Sequence, residues 1–137
     1  MNIIFKKVKL QTIIKPETIE DSDMNFPTQF MLNGEVVVID IPRRLTSEIS
    51  GELKKLMKEL LAQEKYKIVM NLEKTRYMDS SGLGAIVSKI AATRTHGGDI
   101  RLAAPQQTII DLLELTHINQ IVKIFDSVEE AVKSFEE

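Results

Sequence analysis

From Phe26 onward the apolar residues change period repeatedly, short β-branched runs giving way to i, i+3, i+4, i+7 spacing and back again. No other feature limits the fold as strongly. A chain that alternates strands with helices builds parallel strand pairs, because a parallel neighbour needs a crossover of about a dozen residues or more. The first two runs, FPTQFML and EVVVIDI, flank Asn33-Gly34. That dipeptide supplies the positive φ angles of a tight type I′ turn, so they read as an antiparallel hairpin. Ile49, Leu53, Leu56, Met57, Leu60 and Leu61 then mark an amphipathic helix, with Thr46 or Ser47 placed to cap it and Glu48 in its first turn.

YKIVMNL is a short buried strand, and the apolar helix that follows MDSSGLG ends at Gly97-Gly98. DIRLAA is a further strand, Pro105 introduces a helix around QQTIIDLLELT, and IVKIF is another strand. DSVEEAVKSFEE closes the chain as a helix, with Ser127 and Glu130 spaced as a capping box. The order β-β-α-β-α-β-α-β-α predicts an α/β fold, a mixed five-stranded sheet with four helices and right-handed crossovers. At 137 residues the chain has room for one such domain, over 26–137. Residues 1–25 differ: FKKVKLQTII alternates only partly and KPETIEDSDMN is polar. They are expected to form an arm or extra strand plus a linker, either dangling or making an edge or homodimer contact.

Composition narrows the function. A formal net charge of −2, aromatic content of 5% and no long basic block argue against nucleic acid as a partner. The chain has no cysteine, which removes disulfides, thiolate nucleophiles and zinc-thiolate centres. The lysines at positions 6, 7 and 9 interrupt any signal-peptide core, and no apolar run approaches the roughly 20 residues of a membrane span. A cytoplasmic protein is expected, with no cofactor and no metal.

The densest chemistry lies at a strand-to-helix junction, where β/α sheets gather functional groups. Asp79, Ser80, Ser81, Gly82 and Gly84 fall within six positions. One capping residue would be ordinary, whereas two hydroxyls and two glycines add no capping value, and a helical glycine costs about 0.5–1 kcal/mol against alanine. Leu83, Ile86, Val87 and Ile90 form the inward stripe. Ser81, Gly84, Ala85, Ser88 and Ala92 are expected on the opposite side, a small, smooth face where a solvated helix would carry Lys and Glu. Such a face suits the close approach of another surface. Ser80, at the helix start, stands where a phosphate of charge about −1.5 to −2 would be favoured by the helix dipole and would disturb a docked partner.

NLEKTRYMDSSGLGAIVSKI resembles the signature segment of STAS domains, specifically of bacterial anti-sigma-factor antagonists. IRLAAPQQTIIDLLELTHINQIVKIFDSVEEAV is similar to their C-terminal half. The resemblance implies a phosphorylatable switch that sequesters an anti-sigma-factor serine kinase, is phosphorylated on Ser80 with release of the kinase, and is reset by a phosphatase. It implies partner contacts by Asp79, Ser81, Gly82, Gly84, Ala85 and Ser88. One departure stands out: Arg43-Arg44-Leu45-Thr46 replaces the Gly-Glu-Leu-Asp common in such proteins. These residues are expected to contact either the phosphate or the partner, and they set partner identity apart.

Catalysis finds little support in the sequence. Asp-Ser-Ser-Gly-Leu-Gly is not a Gly-x-Ser-x-Gly elbow, no phosphate loop or dinucleotide motif is present, and His96 and His117 are the only histidine bases. Asp79 as a receiver-type phosphoacceptor would want a second acidic residue beside Asp40, the only candidate. The chain is read as a binding protein rather than an enzyme. The remaining alternative is a STAS interaction subunit of a lipid transporter complex or a stressosome-like scaffold.

Overall fold

Residues 25–136 are described by the computed structural model. The periods of the sequence translate into strands β1 (Thr28–Met31), β2 (Val36–Asp40), β4 (Lys67–Asn71), β6 (Asp99–Ala103) and β7 (Ile124–Phe125) of one sheet. Their spatial order is β1-β2-β4-β6-β7, with β1 antiparallel to β2 and every other pair parallel. Central strands buried on both faces need apolar residues at successive positions, which is why Val36 to Ile39 run without a polar break. Val37, Ile39, Ile68, Met70, Ile100 and Leu102 point to one face. Val36, Val38, Val69 and Ala103 point to the other.

The first face carries most of the core. Helix α1 (Ser50–Ala62) buries Leu53, Leu56, Met57 and Leu60 there, each worth about 1.5–3 kcal/mol of apolar transfer. Helices α2 (Ser80–Val87), α3 (Ile90–Thr95) and α4 (Gln107–Leu115) complete that layer through Leu83, Ile86, Ile90, Ile109 and Leu113. Helix α5 (Val128–Lys133) covers the second face with Ala131 and Val132. The Ser127 hydroxyl accepts the Glu130 amide at 3.1 Å and so caps α5 as the spacing predicts. The mixed five-stranded sheet and its four helical regions match the expected fold.

Four local expectations are corrected. The helix expected to run from the junction to Gly97 is broken into α2 and α3, because the Ser88 hydroxyl turns back on the Ala85 carbonyl at 2.8 Å and Lys89 leaves helical geometry at φ −114. The hairpin turn begins a residue early, with Leu32, Asn33 and Gly34 all at positive φ and the Gly34 amide donating to Met31 at 3.1 Å. Neither Thr46 nor Ser47 caps α1 through its side chain. Instead the Thr46 carbonyl accepts the Ile49 and Ser50 amides at 3.1 and 2.8 Å, and Ile49 is the cap position. The strand expected over IVKIF is trimmed to β7, following a short 3₁₀ turn at Ile118–Gln120. Residues 1–24 lie outside the described residues, and with them the expected arm.

A feature the hydrophobic pattern does not announce is a second, two-stranded parallel ribbon, β3 (Arg44–Leu45) beside β5 (Tyr77–Met78). The Arg43 carbonyl accepts the Arg76 and Tyr77 amides at 2.8 and 3.1 Å, and the Leu45 carbonyl accepts the Asp79 amide at 3.2 Å. Below the ribbon the buried Thr75 hydroxyl donates to the Ile41 carbonyl at 3.1 Å. These bonds fix the segment that leads into α2. Among the described residues, no helix is long and apolar enough to cross a membrane.

Candidate phosphorylation and docking site

The junction is organised by one carboxylate. Asp79 is the N-cap of α2; one oxygen accepts the Gly82 amide at 2.9 Å and the other accepts the Ser47 amide at 3.0 Å. The first bond satisfies an orphan donor of the helix start, and the second ties the loop ahead of α1 to it. The Gly82 amide above all, with help from those of Ser47 and Ser81, holds the Asp79 carboxyl below its ordinary value of 3.8, against a weaker opposing effect of desolvation. Asp79 is therefore ionised at neutral pH, and both of its oxygens are engaged within the domain.

The two glycines do different work. Gly82 is buried, and a Cβ there would overlap the Leu45 carbonyl oxygen and come within 2.9 Å of the Leu45 Cγ, so only glycine lets α2 sit against the ribbon. A Cβ at Gly84 would meet nothing within 4 Å. Ala85, expected on the outward face, is instead fully buried in the main core, where α2 packs against α1. Gly82 and Ala85 thus give no open surface. Ser80 and Ser88 are exposed, as is Ala91 on α3, while Ser81, Gly84 and Ala92 are half-buried. The open strip runs Ser80, Ser81, Gly84, Ser88 and Ala91, narrower than the sequence suggests and extended by one residue the spacing did not single out.

Beside the strip stands the ribbon. The Arg44 guanidinium lies over the Tyr77 ring, 4.6 Å from its centroid, and Arg43, Arg44, Arg76 and Tyr77 are all exposed. Thr46 is half-buried between ribbon and α1. Tyr77 and Arg76 were not singled out by sequence reasoning. Their signal was faint, an aromatic and a base next to an acidic cap.

The sequence and the fold that carries this junction find their counterpart in known proteins. The STAS domain description matches residues 29–131. The chain belongs to the STAS domain family. A Thermotoga maritima protein named "Putative anti-sigma factor antagonist" is 31% identical over 105 residues, 76% of this chain and 93% of that protein. The anti-sigma F factor antagonist of Paenibacillus polymyxa is 24% identical over 114 residues, 82% of this chain and 97% of that one. The crystal structure of the Thermotoga maritima antagonist superposes with a TM-score of 0.74 at 29% identity, covering 82% of this chain and 95% of that one. The Bacillus cell fate determinant SpoIIAA in its phosphorylated form shares the fold, with a TM-score of 0.64 at 22% identity, over 80% of this chain and 97% of that one. By sequence and by fold this STAS domain belongs with the anti-sigma factor antagonists.

Proposed function

We propose that this STAS domain is a switch that sequesters an anti-sigma-factor serine kinase in the cytoplasm and releases it when Ser80 is phosphorylated. The carrying observation is the geometry of the first helical turn: Ser80 is exposed, while the neighbouring Asp79 is fully engaged by the Gly82 and Ser47 amides. A kinase would find one accessible hydroxyl on a rigid turn, and the dianion it leaves would sit at the positive end of α2. The unmodified strip of Ser81, Gly84 and Ser88 lets a partner backbone approach closely, and a phosphate at its edge adds bulk and negative charge to a surface that was small and neutral. A phosphatase acting on phosphorylated Ser80 would return the domain to its binding state.

Incubation with purified host anti-sigma-factor kinases and ATP, followed by intact-mass and fragment analysis, tests the assignment. A single phosphate on Ser80, absent in Ser80→Ala, is the expected result. Phosphate mainly on Ser81, or an unchanged yield in Ser80→Ala, would overturn it.

A further inference from the structure

We infer that the β3–β5 ribbon is a second recognition surface, which receives an acidic segment of the protein that docks on the α2 face; this rests on the reading of α2 as a docking face. Arg43, Arg44 and Arg76 are brought together by backbone pairing, since Arg43 accepts the Arg76 amide and Arg44 is in register with Tyr77. All three side chains are exposed, and among the described residues none of them joins an ion pair. Among the described residues the acids nearby do not neutralise them: Asp79 is bound to amides, the exposed Glu48 and Glu73 make no ion pair, and Lys74 beside Glu73 makes none either.

Tyr77 is the second, independent sign. It is 45% exposed, a large amphipathic ring left in solvent, and the Arg44 guanidinium carbon lies 4.6 Å from its centroid. A guanidinium held against a ring face and engaged in no ion pair keeps N–H donors available to grip a carboxylate with two hydrogen bonds. Tyrosine and arginine are also the residues most enriched among the energetic centres of protein interfaces. A ribbon fixed by backbone bonds presents them without further ordering of the main chain.

The observations favour an acidic protein segment over nucleic acid. The basic patch is confined to a ribbon of two short strands, whereas a phosphate backbone would need a longer stripe of cations on a basic chain, and this chain carries a net charge of −2. The ribbon is also continuous with α2 through the bond from the Asp79 amide to Leu45, so one partner can cover both.

The test uses the full-length ¹⁵N-labelled protein, titrated with a short glutamate-rich peptide and, separately, with a short DNA duplex. The peptide should move the amide signals of Arg44, Leu45, Tyr77 and Met78, with an affinity that falls as salt is added. The variant Arg43→Gln/Arg44→Gln/Arg76→Gln, its fold checked by circular dichroism, should bind the peptide at least about tenfold more weakly. Scattered or absent shifts, unchanged binding by the variant, or tighter binding of the duplex than of the peptide would each overturn the inference. Peptide binding at the ribbon supports it whether or not a kinase modifies Ser80, so its failure is separable from failure of the phosphorylation assignment.

Discussion

Two glycines two positions apart on α2 should respond to the same substitution with opposite signs. In Gly82→Ala the new methyl collides with the backbone carbonyl of Leu45, which cannot swing aside because the same oxygen accepts the Asp79 amide. Relieving the clash means moving α2 off the ribbon, an overpacking cost of about 1–3 kcal/mol. In a domain of this size that corresponds to a fall in Tm of roughly 5–15 °C. Gly84→Ala adds a methyl to open space and removes a helical glycine, so it should gain about 0.5–1 kcal/mol, or roughly 2–6 °C. Thermal unfolding followed by circular dichroism reads both. If Gly82→Ala melts with the parent protein, or if Gly84→Ala is destabilised, the packing described for α2 is wrong. The sign at Gly84 bears on function, because a glycine that weakens its own helix without a packing reason is explained by a surface that must come close.

The other predictions concern charge, docking and the core. Asp99 is 5% exposed; burial alone would raise its carboxyl pKa, but the hydrogen bonds from Arg94 at 2.8 Å and Arg101 at 3.0 Å outweigh it and leave the value lowered. Its stabilising contribution is therefore complete above the unfolded value near 3.8 and is lost as pH falls through the lower folded value, so acid unfolding below about pH 4 should be less steep in Asp99→Asn. Asp99→Ala should cost about 2–4 kcal/mol at neutral pH by urea titration, less than a fully buried pair because Arg94 remains half in solvent. Ser80→Asp should weaken kinase binding more than Ser80→Ala in calorimetric titration, since release is attributed to added charge, and Gly84→Lys should weaken it while leaving the far-UV spectrum intact. Leu53→Ala, deep under the sheet, should destabilise by about 2–5 kcal/mol in the same urea assay.

What the sequence made legible was whatever depends on period. The strands of the main sheet and α1 follow from residues whose burial repeats every two or every three to four positions, and the Asn33-Gly34 and Ser127 signals follow from local backbone chemistry. What it hid depends on contacts between distant segments. Alanine suits a core as well as a surface, so Ala85 was assigned to the open face, and only the packing of α1 against α2 places it inside. Gly82, expected as a partner contact, is buried, and its lack of a side chain answers a carbonyl on a strand far away in the chain. The ribbon escaped notice because strands of two residues carry no pattern, and with it went the pairing of Arg44 with Tyr77. The break after Val87 arises from a single serine hydroxyl, a competition that helix periodicity does not register.

The central claim is that one phosphate on Ser80 separates the domain from its kinase. Calorimetric titration of the anti-sigma-factor kinase that modifies Ser80 with unmodified and with stoichiometrically phosphorylated protein measures this directly. The unmodified protein should bind, and the phosphorylated protein should bind at least about tenfold more weakly, a difference of about 1.4 kcal/mol. Equal affinities for the two forms would contradict the switch.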